Sequence, residues 1–331
     1  MKVVDMHCDT IYEIYERRKK GQKVRLLEND LHIDLKKMEK GDYLIQNFAL
    51  YTHLEQEQRP LEHAMRLMDV FYEEMEANRE RIGVVKNWQD IERNKKEGKL
   101  SAMVTIEEGG ACQGELAYLR DFYRLGVRMM TLTWNFPNEL GYPNRILPQN
   151  GGPALRVADT EHGLTEKGID FVQEMERLGM IPDISHLNDA GIWDVFRYTK
   201  KPFVASHSNA RALSCHPRNL TDEMIRALAE RGGVAGINFC ASFLREDEKG
   251  KEPVHSYCRD MVEHIKHMKQ VGGIGCIGLG SDFDGITSIV EMGDCSGIQL
   301  LADEMERQGF SVGEIEAVFH KNVLRLYREV L

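Results

Sequence analysis

Short apolar runs alternate with longer amphipathic stretches along the whole chain. Eight runs read as strands: Val3–Met6, Tyr43–Tyr51, Ser101–Ile106, Val127–Trp134, Met180–Ser185, Pro202–Ser206, Val234–Phe239 and Ile274–Gly280. They are short and rich in Val, Ile, Met and Phe, as strands covered on both faces should be. The stretches between them follow the helical period. Ile169, Val172, Met175 and Leu178 recur on one face, and Gly179 ends that helix. Thr221 caps a helix running to about Glu230, before Gly232-Gly233 opens the next strand. Ser311 and Glu314 form a capping box for a helix through Phe319.

Strand–helix alternation of this kind predicts parallel pairing through right-handed crossovers. Eight strands point to an α/β fold of one domain over residues 1–331: a single (β/α)8 TIM-type barrel with additional C-terminal helices. A dinucleotide-binding open sheet is excluded, because no G-x-G-x-x-G follows the first strand. The segment Pro137–Thr160, with four prolines and the glycines 141, 151 and 152, reads as a long polar loop. Following strand four, it belongs to the face where a barrel gathers its site.

Composition narrows the function. With 42% apolar residues the chain can bury a large core, and a net charge of -10 with pI near 5.7 argues against nucleic acid or an anionic membrane as partner. The seven cysteines include no C-x-x-C pair and read as free thiols of a reducing compartment. Met1-Lys2-Val3-Val4-Asp5 runs directly into the first strand, no window reaches 18 apolar residues, and the last ten residues are too charged for an anchor. The expectation is a cytoplasmic protein.

The chemistry-bearing residues collect at predicted strand ends. His7 and Asp9 end strand one as H-x-D, and imidazole and carboxylate are ordinary zinc ligands. Glu108 follows strand three in Glu107-Glu108-Gly109-Gly110; a carboxylate can bridge two cations, and the glycines allow close backbone approach. Glu107 reads as part of a surface turn. His186 and His207 end strands five and six, each after a serine. His32, His53, His63, His255, His264, His267 and His320 read as packed or solvent-facing. Asp282, in Ser281-Asp282-Phe283-Asp284-Gly285 after strand eight, is placed to shuttle protons, while Asp284 braces the turn. Arg218, in His216-Pro217-Arg218-Asn219, is suited to grip a substrate carboxylate.

This ordered set, His7-x-Asp9, Glu108-Gly-Gly, Asp183-x-Ser-His186, Ser206-His207, Arg218-Asn219 and Asp282-Phe-Asp-Gly285, resembles the membrane (renal) dipeptidase family. That family is a zinc-dependent branch of the amidohydrolase superfamily, and the resemblance covers nearly the whole chain. It implies a catalytic barrel holding two Zn2+ per chain, bridged by Glu108 and a water or hydroxide. His7 and Asp9 would bind one zinc, His186 and His207 the other. Arg218 would hold the C-terminal carboxylate of a small dipeptide substrate, and Asp282 would sit over the bridging water. A homodimer would also follow the family; its membrane attachment does not, since the signals are missing.

One position departs. Better-known members carry a substrate-contacting histidine after strand four, in a run like Leu-Thr-His; here the run is Leu132-Thr133-Trp134-Asn135-Phe136. Trp134 has only an indole N–H to donate, so Asn135 or another loop group is expected to supply the missing contact. The alternative is an amidohydrolase acting on another amide, a lactone or an ester. Such enzymes commonly use H-x-H on strand one and a lysine bridge on strand four, and neither is present. A metal-stabilised scaffold without activity fits poorly, since a structural zinc is usually closed by four ligands.

Overall fold

The computed structural model describes residues 1–149, 152–245 and 254–331. Eight parallel strands form its centre: β1 Val3–Asp5, β2 Tyr43–Tyr51, β3 Leu100–Glu107, β4 Met129–Thr131, β5 Ile181–Asp183, β6 Val204–Ala205, β7 Val234–Ile237 and β8 Ile277–Leu279. Each pairs with its neighbour in chain order, β2 pairs directly with β3, and β8 returns to β1 through Asp5 and Leu279. The sheet is therefore a closed ring, the TIM-type barrel expected from the eight apolar runs. A short strand, Ile82–Val84, adds only to the outer start of β3.

Strand alternation sorts the core into two layers. Val4, Met6, Ile45, Met103, Met129, Ile181, Val204 and Val234 fill the barrel interior. Alternate residues such as Ala102, Val104 and Ile106 face the surrounding helices. At the N-terminal end of the ring, Val323, Leu326 and Tyr327 join the interior cluster. They come from a final helix, Asn322–Val330, and Tyr327 Oη meets Asn47 Nδ2 at 2.8 Å in the barrel. That helix plugs the floor and leaves the C-terminal mouth as the open end.

Helix ends follow the local chemistry. Thr165 caps Glu166–Leu178, which ends on Gly179 at φ 80°, and Thr221 caps Asp222–Glu230. The Ser311–Glu314 capping box is present. Its helix does not stop at Phe319, however: a wider π-turn over Ala317–Lys321 leads directly into Asn322–Val330. The loop after β4 is more ordered than its composition suggests, since Arg145–Gln149 and Gly152–Val157 pair as an antiparallel hairpin. Asn150 and Gly151 of that expected loop lie outside the described residues. All seven cysteines are unpaired. Among the described residues no helix is long and apolar enough to cross a membrane.

Candidate metal centre

β1 delivers His7 and Asp9 to the barrel mouth, both buried. Asp9 precedes the helix Thr10–Lys19 without using its side chain as a cap, so its carboxylate stays free for the site. His186 and His207 follow β5 and β6, with Nε2 atoms 3.0 Å apart. His7, His186, His207, Asp9 and Asp282 all meet at one place, but Glu108 does not join them.

β3 ends on Glu107, and alternation puts its side chain on the inner face with Met103 and Thr105. Glu107 Oε2 lies 3.4 Å from His7 Nε2, and Oε1 lies 3.1 Å from His186 Nε2 and 3.7 Å from His207 Nε2. The next residue, at φ 91°, turns away. Glu108 accepts from the backbone N–H of Gly110 at 2.7 Å and of Trp134 at 2.9 Å, and from Asn138 Nδ2. It thus braces the turn and the loop after β4. The carboxylate facing both histidine sets is Glu107, not Glu108 as the Gly-Gly spacing suggested. Those glycines do allow close approach, but to other groups: a Cβ at 109 would sit 2.7 Å from Leu132 O, and one at 110 would sit 2.8 Å from Glu108 Oε1.

Behind the histidines lies a layer that orients them. Ser206 Oγ donates to Asp183 Oδ2 at 2.5 Å and therefore receives the proton of His207 Nδ1 at 2.7 Å. Asp183 also accepts from Thr131 Oγ1 at 2.7 Å and from the backbone N–H groups of Ser185 and Ser206, at 3.0 and 2.8 Å. His186 Nδ1 meets Asn135 Oδ1 at 3.1 Å. Both imidazoles are thereby turned so that Nε2 presents a lone pair to the site. Across the mouth, Asp5 accepts from Ser281 N and Oγ at 2.9 and 2.6 Å and holds the turn carrying Asp282. Asp284 braces that turn as expected from its sequence, accepting from Thr10 Oγ1 at 2.6 Å and His32 N at 2.7 Å.

The electrostatics suit cations. Burial, with Arg218 and His7 adding, holds His186 and His207 well below the ordinary imidazole range, so both are neutral. Their Nε2 lone pairs then face each other at 3.0 Å, a repulsive contact until a positive charge sits beside them. For His7 burial opposes the charge, but Glu107 and Asp9 outweigh it and raise the group well above its usual value. Glu107 itself is pushed up to about 8 by burial, with Asp9 adding and His7 opposing. His7 Nε2 and Asp9 Oδ1 are buried without a hydrogen-bond partner among the described residues. Three ligand sets, His7-Asp9-Glu107, Glu107-His186-His207 and His7-His207-Asp282, each fall within 4.8 Å. The residues present therefore fit metal ions, and Glu107 is common to two of the sets.

The other expected residues border the site. Arg218 is half-buried, with Nη1 3.4 Å from Ser208 Oγ and Nη2 3.4 Å from His207 O, and its buried Nε has no partner among the described residues. Trp134 forms an aromatic cluster with Tyr51, His53 and Phe136, at ring separations of 5.0 to 5.5 Å. With Tyr12, Tyr51 and Asn135 it lines a cleft of about 330 Å3 above the ligands.

The family model described as membrane dipeptidase (peptidase family M19) matches residues 1–331. The chain belongs to the membrane dipeptidase family. Membership makes it a metal-dependent hydrolase, a metallopeptidase of the dipeptidase kind. It is similar to an uncharacterized dipeptidase of Schizosaccharomyces pombe, 30% identical over 99% of this chain and 80% of that protein. Among solved structures it resembles the metallopeptidase dipeptidase AC at TM-score 0.88 and 28% identity, covering 100% of this chain and 98% of that one. A Rhodobacter sphaeroides metallopeptidase, liganded with a phosphinate mimic of the dipeptide L-Ala-D-Ala, superimposes at TM-score 0.88 with 26% identity, covering 100% and 99% of the two chains.

Within that family assignment, sequence reasoning missed three supports: Asp183, Ser206 and Asn238. The signal for the first two was present, because Ser-His recurs after β5 and β6 with an aspartate preceding the first pair. Nothing local marks Asn238, whose Nδ2 donates to Asp282 Oδ2 at 2.9 Å.

Proposed function

We propose that this dipeptidase hydrolyses dipeptides at a two-zinc centre in which Glu107 bridges the ions. His7 and Asp9 would hold one zinc, and His186 and His207 the other. The observation that carries this reading is that the two oxygens of Glu107 face separate ligand sets, at 3.4 Å and 3.1 Å. Bound there, the ions supply a polarised carbonyl and a water whose pKa falls to about 7.

The chain's own groups do the rest. Asp282 takes the proton of the attacking water and delivers it to the leaving nitrogen. Asn238 holds its Oδ2, leaving Oδ1 turned toward the ligands, 3.8 Å from His7 Nε2. Arg218 binds the C-terminal carboxylate; its weak contacts, and an Nε without a partner among the described residues, leave donors for a bidentate pair. Asn135 commits its Oδ1 to His186 and keeps its amide N–H groups for the substrate. Trp134 and Tyr51 wall the cleft and exclude water.

Metal analysis of purified protein, with a dipeptide panel before and after chelation, tests the reading. Two zinc equivalents per chain are expected, with activity lost on chelation and restored by zinc. Because the Rhodobacter relative was captured with a mimic ending in D-Ala, the panel should carry both configurations at the C-terminal residue. Hydrolysis that persists in chelated, metal-free protein would overturn the proposal.

A further inference from the structure

Beside the catalytic cleft lies a smaller cavity of about 110 Å3, sharing Asn135, His186 and Phe243 with it. The two spaces differ sharply in charge. The cleft is lined by Asp9, Glu13, Glu107, Asp282 and Asp284. Among the described residues no carboxylate lines the smaller cavity, whose lining instead includes two arginines, Arg218 and Arg145.

Arg145 is held there by the loop after β4. Pro143 bridges to Leu187, directly after His186, and Asn144 ties the loop to Pro217 O at 2.7 Å and to Asp159 N at 2.9 Å. Arg145 reaches Asp159 only at 3.6 Å and remains about half exposed (48%). Asp159 is already served by the backbone N–H groups of Glu161 and His162, at 3.0 and 3.2 Å, and by the His162 ring. Nearby Arg211 shows what a committed arginine looks like: two bonds to Asp189 at 2.7 and 2.8 Å and two more to backbone carbonyls. Among the described residues Arg145 makes no such closed set.

We propose that Arg145 selects dipeptides whose C-terminal residue carries an acidic side chain, aspartate or glutamate. This rests on the dipeptidase reading above. Arg218 takes the α-carboxylate, as any dipeptide requires. One guanidinium satisfies one carboxylate bidentately, so the second cation in the cavity matches a second anionic group on the same residue. A neutral amide of the same shape leaves Arg145 facing the cavity without an anion. Arg145 is a specificity-determining residue here and takes no part in bond cleavage.

Isosteric pairs test this: Ala-Asp against Ala-Asn and Ala-Glu against Ala-Gln, in both configurations at the second residue, on the zinc-loaded enzyme. The acidic member should be favoured in kcat/KM by about tenfold or more in the accepted configuration. In Arg145→Met the acid-to-amide ratio should collapse toward one, and Arg145→Lys should recover part of it. A wild-type ratio near one, or a ratio unchanged in Arg145→Met, overturns the proposal. Binding of free aspartate and asparagine, followed by thermal shift of the zinc-loaded protein, separates the two readings. Preference for aspartate that Arg145→Met abolishes supports the acidic pocket even if no dipeptide is cleaved, which would instead sink the dipeptidase reading. Dipeptide cleavage without acid preference leaves the dipeptidase intact and removes the pocket.

Discussion

Glu107 and Glu108 are chain neighbours whose carboxylates serve opposite purposes: one lies 3.1 Å from His186 Nε2, the other 2.9 Å from the backbone N–H of Trp134. The positive φ at Glu108 separates them. Glu107→Gln should lose metal and nearly all turnover. Glu108→Gln should keep its zinc and lose stability, by about 1–3 kcal/mol, because three donors would face a weaker acceptor. Zinc content and denaturant melts of the two variants read this directly; normal zinc in Glu107→Gln would refute it.

Asp282 lies within one of the candidate ligand sets, with His7 and His207, yet the proposed mechanism gives it proton transfer. Asp282→Asn should retain both zinc equivalents and the fold, while kcat falls about 10²–10⁴-fold. A variant that loses a metal equivalent instead would place Asp282 among the ligands, with His7 and His207.

Ser206 sets the tautomer of His207 by giving its own proton to Asp183. Ser206→Ala should weaken zinc binding about 10–100-fold with little change in melting temperature of the metal-free chain. Competition against a chromogenic chelator measures it, and an unchanged affinity would show that Ser206 does not orient the ligand.

Gly285 packs against two of the site's carboxylates. A Cβ there would stand 2.1 Å from Asp9 Oδ2 and 2.6 Å from Asp282 Oδ1. Gly285→Ala should therefore lower zinc occupancy and activity together, although no ligand residue is replaced. Wild-type occupancy in this variant would mean that the turn relaxes freely.

Away from the site, Glu174 joins the helices Leu116–Leu125 and Glu166–Leu178, accepting from Arg177 Nε at 2.6 Å and Arg120 Nε at 2.5 Å. Arg177, then Arg120, hold it at about 2, below the ordinary 4.5. A depressed carboxylate stabilises the fold above its unfolded-state value and loses that contribution as pH falls through the folded one. Glu174→Gln should melt earlier than wild type near neutral pH, and the gap should close between about pH 5 and 2. A constant gap would exclude the ion pair as its source.

Much of this was readable in the chain itself. Each of the eight apolar runs became a barrel strand because burial on both faces demands continuous apolar residues, a property of composition over a few positions. His7, Asp9, His186, His207 and Asp282 were recognisable because a barrel gathers whatever follows its strands at one mouth. The inward face of β3 was also legible: Ser101, Met103, Thr105 and Glu107 alternate with the apolar Ala102, Val104 and Ile106 that face the helices. Following that period to its end selects Glu107.

Other features depend on contacts between segments far apart in sequence. The left-handed turn that takes Glu108 out of the mouth is held by Trp134 and Asn138, and Asn238 reaches Asp282 across two strands. The pairing of Arg145 with Arg218 in one cavity likewise arises only when the hairpin docks beside His186. Local pattern determined the strands, the caps and which residue types stand at the mouth, because periodicity and burial act over a few residues. Tertiary structure decided which carboxylate faces the three histidines and which arginines line one pocket, because those outcomes rest on hydrogen bonds and packing between distant loops.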